Sequence, residues 1–245
     1  MNNPWEKIEN KPYILSSDID RIMAFNDKAS DEHKIQTELI PDPFFGNKDG
    51  KVVLLMLNPG FGKHEEDNYK QNNFKQILLN NLKHSNTKKH FFSLDKAFEG
   101  TDAHNYWKPR VKELNNFNDK EFDNDFLSEQ LFCINLFPYH SEDYKKLKGG
   151  LLESQKYALF LLNEKINEEG TLIISMRAYT KWSNAYSEVY NGEKSFDKLV
   201  EENKILRVSS YGNPTLSYNN LLQKDETNGF KILTAKLKKL LPKSL

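Results

Sequence analysis

Val52-Val53-Leu54-Leu55-Met56-Leu57-Asn58-Pro59-Gly60-Phe61-Gly62 is an apolar run that stops at Asn-Pro-Gly. Its β-branched start and short length suit a strand buried on both faces, as strands of parallel sheets are. Proline fixes φ, and glycine accepts positive φ or the close approach of a ligand. The turn therefore presents Asn58 where a buried strand surfaces. In open α/β sheets, ligands bind in the crevice beyond such carboxyl ends. Alone, Asn-Pro-Gly is a strand followed by a turn.

The pattern recurs. Leu131-Phe132-Cys133-Ile134-Asn135-Leu136-Phe137-Pro138 is a second apolar run ending in asparagine and proline, and the segment from Ile205 to Asn213-Pro214-Thr215 is a third. Leu172 to Met176 reads as a strand without that ending, followed by Arg177. Asn58, Asn135 and Asn213 at three strand exits can meet in one crevice. An amide that both donates and accepts suits reading a base edge or holding a water.

Helical spacing of Phe74, Ile77, Leu78 and Leu82 predicts a helix over 70–83. A second helix is expected from about His104, with Pro109 in its first turn. Others are expected over 151–165, from about Ala178, and over 230–241. Pro41-Asp42-Pro43-Phe44-Phe45-Gly46 is expected as an exposed loop, because proline opposes both helix and central strand. Strands alternating with helices predict an α/β fold, a three-layer α/β/α sandwich around a mainly parallel four-stranded sheet. The expected organisation is a single domain over 1–245. It has an accessory segment at 1–40, a polar helical insertion at 63–128 and a C-terminal helix at 228–245.

The chain has 245 residues, 38% hydrophobic and 29% charged, with zero net charge. Zero net charge argues against coating nucleic acid through bulk charge, though not against a local basic patch. The single cysteine, Cys133, lies in an apolar run and reads as a core residue of a cytosolic protein without disulfides. No apolar stretch approaches the roughly 20 residues of a membrane span. A cytoplasmic monomer with no membrane partner is expected. His84 and His90 have no acidic or cysteine partner at ligand spacing, so neither a metal nor a cofactor is expected. There is no phosphate-binding glycine loop and no G-x-S-x-G elbow.

Taken together, the motifs over roughly residues 41–222 resemble those of the uracil-DNA glycosylase superfamily. Leu57-Asn58-Pro59-Gly60 resembles its first motif in the mismatch-specific uracil/thymine branch; the main branch carries aspartate at that place. Asn213-Pro214-Thr215-Leu216-Ser217 resembles the second motif, on the loop after the last strand. Asn135 falls where main-branch enzymes carry the asparagine that reads uracil. Leu172 to Lys181 resembles the intervening strand-into-helix segment, keeping Ala178 but not its Trp-Gly. The absence of four cysteines excludes the iron–sulfur branch.

The resemblance implies a uracil-DNA-glycosylase-like fold and hydrolysis of the N-glycosidic bond of uracil or a related base. Asn58 would position the water and Asn135 would read the base. Phe61 would stack on the base, with Phe45 and Tyr139 behind it. His140 would donate to the leaving base or meet a phosphate. Gly60, Arg177, Asn213, Pro214 and Thr215 would meet the DNA backbone, with Leu216 as a wedge. The partner would be DNA or a nucleotide or base ligand. Two alternatives stand beside this: a silent relative that binds a nucleotide, modified base or single strand, and an unrelated α/β enzyme acting on a phosphorylated ligand. Convergence of the three asparagine amides on one pocket is the structural requirement of the first reading.

Overall fold

The computed structural model describes residues 1–62, 74–85, 90–190, 195–221 and 228–242. At its centre is a sheet of five strands: β1 (Phe44–Gly46), β2 (Val52–Met56), β3 (Leu131–Asn135), β4 (Leu172–Ser175) and β5 (Ile205–Arg207). Their order across the sheet is β1-β3-β2-β4-β5. The last four in this order run parallel, and β1 pairs antiparallel with β3. Every residue of β2, β3 and β4 is buried, which is why these strands are apolar up to their last residues, Asn135 in β3 and Ser175 in β4, instead of alternating.

Eight α-helices accompany the strands among the described residues: α1 (Ile19–Asn26), α2 (Phe74–Leu82), α3 (Asp102–Asn115), α4 (Asn124–Gln130), α5 (Glu153–Asn167), α6 (Tyr179–Tyr190), α7 (Phe196–Glu201) and α8 (Gly229–Leu240). The chain leaves β2 to one side to reach β3, then returns past β2 to reach β4. Right-handed crossovers in opposite directions place their helices on opposite faces of the sheet. The same reversal creates a switch point between β2 and β4, where a crevice opens at the strands' carboxyl ends.

The α/β class is as expected, but the strand inventory is not. Phe44–Gly46, expected as an exposed loop, is a buried edge strand. It pairs Phe44 with Ile134 and Phe45 with Cys133, and both phenylalanines are buried. The prolines lie just outside the paired residues and so obstruct nothing. Gly46 has φ +94°, and a side chain there would run into the Leu131 carbonyl. The last strand ends at Arg207, well short of Asn213.

Pro109 lies inside α3 and not in its first turn. The Thr101 hydroxyl accepts from the His104 N–H at 3.2 Å, which starts the helix earlier. The expected helix over 70–83 is described from Phe74, and residues 63–73 lie outside the described residues. Within the expected insertion, Phe91, Phe92 and Trp107 are buried, so that segment supplies core aromatics as well as polar cover. The C-terminal helix buries Phe230, Leu233 and Leu237 on one face, as its spacing predicts.

The N-terminal segment is also part of the core. Asp18 does not cap α1 with its side chain. Its fully buried carboxylate instead accepts from the Tyr139 hydroxyl (2.9 Å) and from the Glu153 N–H at the start of α5 (3.1 Å).

Helix α2 ends in a Schellman turn. The Ser85 N–H bonds to the Asn80 carbonyl, the His84 N–H bonds to the Asn81 carbonyl, and His84 has φ +51°. The turn stacks the His84 ring on Phe44 at 4.0 Å, while Asn81 Nδ2 donates to the Phe44 carbonyl at 2.6 Å. Burial pushes the His84 imidazole down to about 4, with Lys48 adding to the effect. Unfolded His84 takes up a proton near pH 6.5, whereas folded His84 resists it until about pH 4. Its contribution to stability is therefore complete above pH 6.5 and is lost as pH falls toward 4. Urea unfolding of the wild type and His84→Asn, which tolerates the left-handed backbone, should show the variant less acid-sensitive by about 2 kcal/mol between pH 7 and 4.5.

Candidate functional site

The exit of β2 is fixed from both sides. The Leu55 carbonyl accepts from the Met176 and Arg177 N–H groups at 3.0 and 3.1 Å. The Met56 carbonyl accepts from the Leu136 N–H and from Trp182 Nε1 at 2.8 Å. The Leu57 carbonyl accepts from the Phe137 N–H at 2.7 Å. Beyond these bonds a cavity of about 440 Å³ opens at the ends of β2, β3 and β4. That volume lies within the range of small-ligand sites, roughly 300–1,000 Å³.

Asn58, Gly60, Phe61, Asn135, His140 and Arg177 all line this cavity. Asn58 Nδ2 donates to the Pro59 carbonyl (2.9 Å) and to Ser141 Oγ (3.3 Å). These bonds hold the amide plane and, among the described residues, leave Oδ1 as a free acceptor. Asn135 is buried, and its Nδ2 donates to the Asp42 carbonyl at 2.6 Å. Among the described residues its Oδ1 has no hydrogen-bond partner. His140 is buried with Nδ1 2.8 Å from the Gly60 carbonyl and Nε2 3.0 Å from the Ile40 carbonyl. A neutral imidazole donates to only one of these oxygens, whereas the protonated ring donates to both.

Asp42 also lines the cavity, and sequence reasoning missed it because it lay in the expected loop. Its carboxyl Oδ1 is closed off from solvent and has no hydrogen-bond partner. Burial raises the carboxyl above the ordinary aspartate range, against the opposing pull of His140. The Phe44-Phe45 pair that makes β1 a buried strand is the signal that places Asp42 just before a strand edge. Phe45 joins Phe92 and Trp107 on an aromatic side of the cavity.

The remaining expected site residues lie elsewhere. Tyr139 is buried against Trp5 and bonded to Asp18, so its ring is not offered to a ligand. Asn213 is exposed, and it lies outside the cavity lining together with Pro214, Thr215 and Leu216. Leu216 is fully buried in the core and does not form a protruding wedge. This loop is folded by Asn220, whose amide donates to the Asn213 and Thr215 carbonyls at 3.3 and 3.2 Å. Two of the three asparagines thus converge, and the third does not.

No group of three or more potential metal ligands occurs among the described residues. No described helix is long and apolar enough to cross a membrane. Ala178, which follows Arg177 at the exit of β4, has φ +57°. An L-residue with a side chain pays roughly 1 kcal/mol for that conformation. Ala178→Gly should therefore raise unfolding stability by about 1 kcal/mol, read as a higher urea midpoint at unchanged slope. Compared with protein-family models, curated proteins and solved structures, the chain matches none.

Proposed function

We propose that the cavity takes a pyrimidine-like base and that the protein hydrolyses the N-glycosidic bond holding it, in a uracil-DNA-glycosylase-like fold. The observation that carries this reading is the meeting of Asn58, Asn135 and His140 with Asp42 in one cavity at the strands' carboxyl ends; Asn213 stays outside, so the reading rests on two asparagines and Asp42 and not on the full three-asparagine convergence. Asn135 Oδ1 accepts from the base edge. Phe61 supplies an aromatic face for stacking. Asn58 Oδ1 accepts a hydrogen bond from the attacking water.

Asn58 cannot take a proton from that water, and Asp42 supplies the carboxylate for this step. Water adds to C1′ as the C1′–N bond breaks, the bonding pair leaves on the base, and the water's proton passes to Asp42. Burial raises the Asp42 carboxyl above the ordinary aspartate range, which makes its ionised form the stronger base for this task. His140 keeps both ring nitrogens against the Gly60 and Ile40 carbonyls, so it shapes the cavity wall and does not donate to the departing base.

A second reading is capture of a free nucleoside or nucleotide without hydrolysis. The exposed carboxylates Glu142 and Asp143 at the cavity lining favour it, because they repel a polyanionic strand.

The test is base release from oligonucleotides carrying uracil, a G·T mismatch or hypoxanthine, single- and double-stranded. Asn135→Ala should cost about 10- to 100-fold, the worth of one base-reading contact. Asp42→Asn should cost about 100-fold or more. If folded protein releases no base from any substrate, hydrolysis is ruled out for these bases and the capture reading takes its place.

A further inference from the structure

One wall of the cavity carries donors that the protein leaves unsatisfied. Arg177 lines the cavity, and its Nε is closed off from solvent without a partner. Among the described residues, no carboxylate pairs with Arg177, and its terminal nitrogens make no hydrogen bond. The Tyr106 ring stands beside it, 5.8 Å from the guanidinium carbon, and the Tyr106 hydroxyl is also buried without a partner. Arg110 stacks on the same ring at 3.3 Å and donates to the Tyr106 carbonyl, yet its Nε is a third buried orphan.

Buried guanidinium groups are normally paired, since an uncompensated buried charge costs several kcal/mol. Here a buried Arg110 and a half-buried Arg177 share one phenol ring, and among the described residues neither has a carboxylate partner. Arg177 is open on the cavity side, where an anion can reach it. The planar fork of arginine matches the oxygens of a phosphate, and stacking on an aromatic ring holds it in place.

We infer that Arg177, backed by Tyr106 and Arg110, binds the phosphate of a nucleotide whose base lies against Asn135. The inference rests on the base-binding reading of this cavity and adds the second half of the ligand. The phosphate can belong to a free nucleoside monophosphate or to a nucleic-acid strand. Glu142 and Asp143 favour the compact monophosphate, since a strand must carry further phosphates past them.

The experiment is calorimetric titration of the full-length protein with four probes: inorganic phosphate, 2′-deoxyuridine, its 5′-monophosphate and a short single-stranded uracil oligonucleotide. The monophosphate should bind about tenfold or more tightly than the nucleoside, the worth of one charge-assisted contact. Arg177→Gln should erase that advantage, so that the variant binds monophosphate and nucleoside alike. Arg177→Lys should retain part of it, and Tyr106→Phe should reduce it about threefold. The two substitutions that keep the charge carry the test if Arg177→Gln fails to fold.

Equal affinity for nucleoside and monophosphate overturns the inference, as does an advantage that survives Arg177→Gln. Phosphate binding that depends on Arg177, with no nucleoside binding, upholds the subsite and removes the base reading. Nucleoside binding with indifference to phosphate does the reverse. An oligonucleotide preferred over the monophosphate, with the same Arg177 dependence, assigns the phosphate to a strand. If none of the four probes binds, both readings fall.

Discussion

Three successive carbonyls at the end of β2, those of Leu55, Met56 and Leu57, are claimed by the exits of β3 and β4 and by the Trp182 indole. A strand held this way cannot shift register, and one residue of slip would exchange its two faces. Met56 lies opposite Asn135 in the parallel ladder. Neighbouring strands are about 4.8 Å apart, so the ladder sets the separation of the two asparagines before any ligand arrives. Asn58 follows two residues later, where Pro59 ends the strand and its own amide bonds back to the Pro59 carbonyl. The chemistry of the cavity thus depends on backbone hydrogen bonds made one to three residues earlier.

This dependence also explains what could be read from the chain alone. Asn58 and Asn135 were legible because each ends an unbroken apolar run, and an apolar run is a local property. Asn213 follows a similar run, but β5 pairs through only three residues, and Asn220 then draws the loop away from the cavity. Nothing in the local pattern distinguishes those cases, because pairing length and the Asn220 contacts are tertiary facts. Tyr139 is likewise decided at a distance, by a carboxylate 121 positions earlier in the chain. Asp42 was hidden by its two flanking prolines. They bar a central strand but leave room for an antiparallel edge, and that edge seats its neighbours beside His140.

The long segment between β2 and β3 is tied to the cavity through aromatic contacts. Trp107 meets Phe45 and Phe91 in edge-to-face contacts, with ring centroids 5.6 and 5.0 Å apart. Its neighbour Tyr106 is presented to the cavity wall, with Arg110 one helical turn further on. Ring pairs of this kind add about 0.5–1.5 kcal/mol each beyond the area they bury. The helix that carries Tyr106 and Arg110 is therefore anchored to the strand that follows Asp42.

The contact between Asn81 and the Phe44 carbonyl has a consequence beyond the fold of one molecule. The outer edge of a sheet is a template on which a strand from another molecule can add, and long flat edges invite aggregation. Here one edge is three residues long, and α2 lies against it with an amide on the carbonyl of its first residue and the His84 ring over Phe44. The opposite edge is equally short. Acidification that charges His84 loosens this cover before it touches the parallel core, so intermolecular strand addition should begin at β1.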